Sequence, residues 1–167
     1  MTEQPPPPPA EEVSAQLRLA GQIHRLSVVL ARPFQQEFAA THGVSLAEWR
    51  VLVQVVRHPG ITATQVAAAT GLTAMNVSRA VHALRRQNLL TARTDPDDSR
   101  RNLLQATDAG AHLYHQLAPH AVRDIGEIMA VLSPTELRTF DSLLARLNQR
   151  TDEVLAQRRG PSEPPRP

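Results

Sequence analysis

Residues 62–107 read TATQVAAATGLTAMNVSRAVHALRRQNLLTARTDPDDSRRNLLQAT, and the fold turns on them. Thr62-Ala63-Thr64-Gln65 has the spacing of a capping box, in which a hydroxyl and a glutamine satisfy each other's orphan amides at a helix start. That predicts a short helix over 63–70, broken by Gly71. Thr73 is placed as the N-cap of a second helix over 74–87. Two short strands, 89–95 and 101–106, then flank the charged tip Asp95-Pro96-Asp97-Asp98-Ser99-Arg100-Arg101, with Leu89, Leu90, Leu103 and Leu104 facing inward.

At about 3.6 residues per turn, Val77, Val81 and Leu84 form a buried stripe on the second helix, and Met75, Arg79, His82 and Arg86 fall opposite. Ser78 and Arg85 lie on one flank and Asn76 on the other. An ordinary surface helix with a solvated arginine face has the same pattern, so the helix alone does not decide. The surrounding charge does. From Trp49 to Thr94 there is no acidic residue, against arginines at 50, 57, 79, 85, 86 and 93. The chain is +2 overall, so this stretch carries +6 and the remainder −4. A local cationic surface on a near-neutral chain points to a polyanion docking at one place. Helix, turn, helix and hairpin together read as a winged helix-turn-helix for double-stranded DNA. Arg79 and its neighbours Thr73, Met75, Asn76, Ser78 and His82 are expected in the major groove, with Arg85, Arg86 and Arg93 on phosphates. Bare carboxylates at the tip would repel phosphate, so Asp97 or Asp98 is expected to brace it by pairing with Arg100. An arginine held at such a tip, Arg100 or Arg101, can enter a minor groove.

Composition bounds the rest. The 167 residues suit one domain, or one domain with a long helical extension, and 41% apolar residues suffice for a core. With five aromatics, that core is mainly Leu, Val and Ala, which suits helices. No apolar run approaches the roughly 20 residues that cross a bilayer. The first residues lack a basic-then-apolar leader, so a cytoplasmic protein with no membrane partner is expected. The absence of cysteine excludes thiol-based sensing and Cys-ligated metal. All 18 basic residues are arginine; coding bias accounts for that, and only their placement carries the argument. No nucleophile elbow, Gly-rich phosphate loop or HExxH occurs, so neither an enzyme nor a cofactor is expected.

Along the chain, Pro-rich ends at 1–10 and 159–167 are expected to be disordered. Further helices are expected at 11–42, 46–58, 108–131 and 134–158. Ser45-Leu46-Ala47-Glu48 and Ser133-Pro134-Thr135-Glu136 supply capping boxes, and Pro33 and Pro119 should kink or interrupt their helices. The fold class is mainly α, with a small two-stranded wing making it α+β. Residues 45–107 form the DNA-binding domain, and 11–44 with 108–158 a helical dimerisation region. Leu137, Phe140, Leu144, Leu147 and Val154 recur as a seam that wants a partner helix, matched by Leu17, Ala20, His24, Ser27, Ala31 and Phe34. A homodimer would cover both seams and set two reading helices about one DNA turn apart, on a palindrome. An intramolecular helical hairpin is the alternative.

The run Leu72-Thr73, Val77-Ser78-Arg79, Val81, Leu84, Leu89-Leu90, Arg93, Asp95-Pro96-Asp97-Asp98-Ser99-Arg100, Leu104 and Thr107-Asp108-Ala109-Gly110 resembles the MarR family of bacterial transcription regulators. Glu48-Trp49-Arg50-Val51-Leu52 and His58-Pro59-Gly60-Ile61-Thr62 look like that family's second helix and its exit. The resemblance covers about residues 15–155. It implies a homodimeric winged-helix protein on a two-fold operator, usually a repressor relieved by a small molecule. By motif match Ser78 and Arg79 would touch the major groove and Arg100 the minor groove. Arg101 stands where a small residue is common and Asn102 where a base is common. The Pro-rich ends have no family counterpart.

The resemblance also places an effector, often an aromatic carboxylate or phenol, between dimer helices and reading domain. Trp49 and Arg50 can stack on and pair with such an anion, and Arg18, His24, Tyr114 and His115 can line the same crevice. Two other readings stay open. Histidines such as 112 and 115, with 42 and 120, would make a zinc-responsive regulator if three or four converged. A winged helix used only as a protein-interaction module would bind DNA without sequence preference.

Overall fold

The computed structural model describes residues 10–32 and 41–158. The Pro-rich ends expected to be disordered, Ala10 apart, lie outside the described residues, as do Pro33 and Phe34. The chain divides into two compact units, one to Val122 and one from Arg123.

The first unit holds α1 (Ala10–Leu30), α2 (Leu46–Arg57), β1 (Ile61–Thr62), α3 (Ala63–Thr70), α4 (Ala74–Arg86), β2 (Leu90–Thr94), β3 (Asn102–Ala106) and most of α5 (Asp108–Met129). Its core is built where four elements each contribute one leucine free of solvent: Leu52 of α2, Leu84 of α4, Leu104 of β3 and Leu117 of α5. Val51, Val55, Val66 and Val77 fill the space between them, and among the described residues no polar side chain is buried with them. Ser45 and Thr62 close full capping boxes on α2 and α3, and Thr73 caps α4 by accepting the Asn76 N–H at 3.2 Å. Gly71 ends α3 at φ 68°, the left-handed conformation that glycine adopts without steric cost.

The sheet differs from the expected two strands. Its order is β1-β3-β2, all antiparallel, with Ile61 opposite Leu104 and Leu90 opposite Ala106. β1 is two residues long, too short to show periodicity, and exists because β3 offers it an edge. The four leucines of the hairpin do not share a face either. Successive strand residues point to opposite sides, so Leu90 and Leu104 are buried while Leu103, opposite Arg93, is half-buried.

The two prolines expected to kink or interrupt their helices differ in outcome. α1 stops at Leu30, before Pro33, and Arg32, Thr41 and His42 are again helical, so the expected helix over 11–42 is interrupted. Pro119 does not interrupt α5, which is continuous through it. Leu117 is buried just before the proline, and Ala118 and Ala121 pack on the core around it, which offsets the lost hydrogen bond.

The second unit contains the end of α5 and α6 (Pro134–Arg158). Ser133 and Glu136 form a reciprocal cap on α6: Glu136 Oε2 accepts from the Ser133 N–H at 2.8 Å and from its hydroxyl at 2.7 Å. Those two bonds, the hydroxyl first, hold the Glu136 carboxyl below its ordinary pKa. No residue of α6 is buried. Among the described residues no helix is long and apolar enough to cross a membrane.

Candidate nucleic-acid interface

α4 presents its two faces as its sequence dictates, with one substitution in the stripe. Val77, Ala80 and Leu84 are buried, and Val81 is only half-buried. Ala80 takes the buried place expected of Val81. Met75, Asn76, Ser78, Arg79, His82, Arg85 and Arg86 are all exposed, as is the cap Thr73. Arg85 and Arg86 occupy the last turn, where the helix dipole favours cations. Arg93 is exposed on β2. None of the ion pairs among the described residues involves Arg79, Arg85, Arg86 or Arg93. These four guanidinium groups therefore stand in water with their forks uncommitted, the state in which an arginine meets phosphate or guanine at least cost.

The wing tip is the opposite case, since its arginines are held. Asp98 Oδ1 lies 3.3 Å from Arg100 Nε, and Asp98 Oδ2 lies 3.5 Å from Arg101 Nε. The same carboxylate accepts the Arg100 N–H at 3.1 Å, and its carbonyl accepts the Arg101 N–H at 2.8 Å. Of the two candidate braces, Asp98 makes these pairs; Asp97 gives its backbone N–H to Asp95 Oδ1 at 3.0 Å. Asp95 is thus a bracing residue the sequence reading missed, although an Asp two residues before a turn amide is a known turn signal. Exposed pairs of this kind add little stability. Their effect is directional: the Arg100 side chain, 90% exposed, projects while Arg101 stays at 65%.

A second overlooked feature fixes where α4 ends. Asn88 adopts a left-handed φ of 57° and lets the Leu89 N–H reach back to the Leu84 carbonyl at 2.9 Å. The start of α5 then clasps this turn. Thr107 donates its hydroxyl to the Asn88 carbonyl at 2.7 Å and its N–H to the Leu89 carbonyl at 3.1 Å. The same hydroxyl accepts the Gly110 N–H at 3.1 Å, capping α5. A Cβ on Gly110 would land on the Leu89 carbonyl oxygen, so only glycine permits this approach. The sequence signal was present in Thr107 preceding a helical run, but not its partner nineteen residues back.

Of the candidate effector residues, three come together. Trp49 is buried, and its ring stacks on Tyr114 with centroids 5.8 Å apart; Tyr114 meets the exposed His115 edge-on at 5.4 Å. Arg50 is half-buried on α2 beside Trp49. Arg18 and His24 are exposed on α1, and no hydrogen bond, ion pair or ring contact among the described residues joins either to the stack. Among the described residues no group of three or more histidine or acidic side chains converges as a metal site.

Comparison with known proteins accords with this geometry. Residues 42–101 match the MarR family model. The chain is 26% identical over 134 residues to a candidate transcriptional regulatory protein for the hcr operon of Thauera aromatica, covering 80% of this chain and 81% of that one. It is similar to the PcaV transcriptional regulator of Streptomyces coelicolor, solved with its natural ligand, at 26% identity and a TM-score of 0.64, over 78% of this chain and 89% of that one. The MepR–DNA complex of S. aureus shares the fold, at 18% identity and a TM-score of 0.68, over 78% of this chain and 96% of that one.

Proposed function

We propose that this chain, whose residues 42–101 match the MarR family model, is a DNA-binding transcription regulator of that family rather than an enzyme, and specifically a homodimeric repressor of a palindromic operator. The observation that carries the reading is the set of uncommitted arginines on the face of α4 that points away from Val77, Ala80 and Leu84. Arg79, near the middle of that face, pairs with a guanine edge, and Arg85, Arg86 and Arg93 take phosphates. The wing arginine Arg100, aimed by Asp98, enters the adjoining minor groove.

Apolar surface left open along the long helices supports the dimer. On α1, Leu17 is 69% exposed and Leu19, Ile23 and Val28 are also exposed; near the end of α5 so are Val122, Ile125 and Ile128. Leu147 of the α6 seam is exposed, and Leu137, Phe140, Leu144 and Val154 are half-buried. A second copy of this chain is the occupant these faces want.

An aromatic carboxylate is the proposed effector, with Arg50 as its charge partner and Tyr114 and His115 lining its site. Trp49 belongs to the wall, because one face of its ring is already on Tyr114. Tyr114 lies one turn beyond Gly110 on α5, so a ligand that shifts α5 there pulls on the Thr107 clasp and thereby on the end of α4. Trp49, on α2, senses the same displacement.

Nuclease footprinting on the DNA upstream of the protein's own gene tests the reading. Two protected half-sites, related by a two-fold axis and about 10 base pairs apart centre to centre, are expected. A single half-site would contradict the dimer, and uniform weak protection would contradict sequence reading.

A further inference from the structure

We infer that Met75 is a specificity-determining residue that reads the C5-methyl group of thymine. The inference rests on the reading of α4 as a DNA-reading helix and adds the base that one of its side chains selects. Met75 is the second residue of α4 and is 63% exposed. Between Leu46 and Leu117 no other large hydrophobic side chain among the described residues is so exposed; the rest lie on α1, in or just after the end of α5, or on α6. Those others sit on long faces that a second copy can cover. Met75 instead stands alone among polar neighbours, with Asn76 beside it and Arg79 one turn on. It projects from the side of the helix opposite the buried Val77, Ala80 and Leu84.

An isolated apolar side chain at that point has one natural counterpart. A reading helix meets base edges with its N-terminal residues. The major-groove edges of adenine, guanine and cytosine offer hydrogen-bonding groups, and thymine alone adds a methyl. Methionine is unbranched and polarisable, so its thioether end can settle on a methyl whose position is fixed by neighbouring contacts. Arg79, one turn further along the same face, provides such a contact by forking onto a guanine. The half-site is therefore expected to carry a thymine within a few base pairs of the guanine read by Arg79.

The test uses the full chain and a duplex selected by the protein from a random-sequence pool. Each thymine is replaced in turn by uracil, which removes the methyl and nothing else. One thymine per half-site should lose about fourfold in affinity on replacement, the worth of one buried methyl. Met75→Ala should bind the thymine and uracil forms equally, and Met75→Leu should restore the distinction. Because Met75 is exposed, both variants should unfold at the wild-type urea midpoint. Methyl sensitivity that survives in Met75→Ala, or its absence at every thymine in the wild type, would overturn the assignment. Wild-type binding to the selected duplex no tighter than to a shuffled one would instead overturn the DNA reading beneath it.

Discussion

Residues 44–117 and α6 (Pro134–Arg158) put their apolar side chains to different uses. Every buried hydrophobic residue among those described lies between Val44 and Leu117. α6 is longer than any element there, carries leucines at helical spacing, and buries none of them. The first region closes on itself: four helices and a small sheet each give up one face. The second has a cap and an apolar seam that is half-buried at most among the described residues. The reading head is thus stable by its own core, whereas in the proposed dimer the long helix is finished by a partner, so stability and assembly should respond to different mutations.

The largest effect that can separate the two is expected from Leu84→Ala. It should cost about 2–5 kcal/mol in urea unfolding, because a fully buried side chain leaves a cavity between α4, α2 and the sheet. Gly110→Ala should cost roughly 1–3 kcal/mol, since the added methyl must push the Leu89 carbonyl away from Thr107. It should also shift the emission of Trp49, the single tryptophan, stacked one turn along α5; an unchanged spectrum and midpoint would show that the clasp yields freely. Leu147→Asp should leave the unfolding of the reading head unchanged but raise the dimer dissociation constant about tenfold or more in sedimentation velocity, roughly 1.4 kcal/mol. Were it to unfold the core instead, α6 would belong to that core.

The smallest effect lies at the α6 cap. Glu136 has a lowered pKa in the folded chain, so its contribution is present above the unfolded value and is lost as pH falls through the lowered one. Glu136→Gln should flatten that acid-side decline in helicity and leave the alkaline side unaltered, as read by circular dichroism.

Much of the reading head was legible in the sequence because its signals are local. Capping boxes act over three residues, the stripe of α4 over one helical turn, and Asp98 reaches Arg100 from two residues away. What escaped depends on distance. β1 is a strand only because β3 lies beside it, and the Asn88–Thr107 bond spans the whole hairpin. Val81 looked like core by spacing, yet Ala80 stands equally three or four residues from Val77 and Leu84 and takes the buried place, a choice periodicity does not encode. At the wing the sequence identified a brace and left its owner open between Asp97 and Asp98; the turn made by Asp95 places Asp98 between the two arginines. Pro119 left a kink or an interruption open because its helix-breaking tendency is local, whereas the continuity of α5 goes with the packing of Leu117, Ala118 and Ala121 on the core.

Fluorescence anisotropy at about 150 mM salt tests the central claim most directly, with wild type and Arg79→Ala each titrated onto a duplex selected by the protein and onto a shuffled one. Wild type should prefer the selected duplex by about a hundredfold or more, and Arg79→Ala should lose about 1–3 kcal/mol on it while binding the shuffled duplex as before. Equal weak binding of wild type to both, or an equal loss on both in the variant, would contradict a base-reading role for the exposed face of α4.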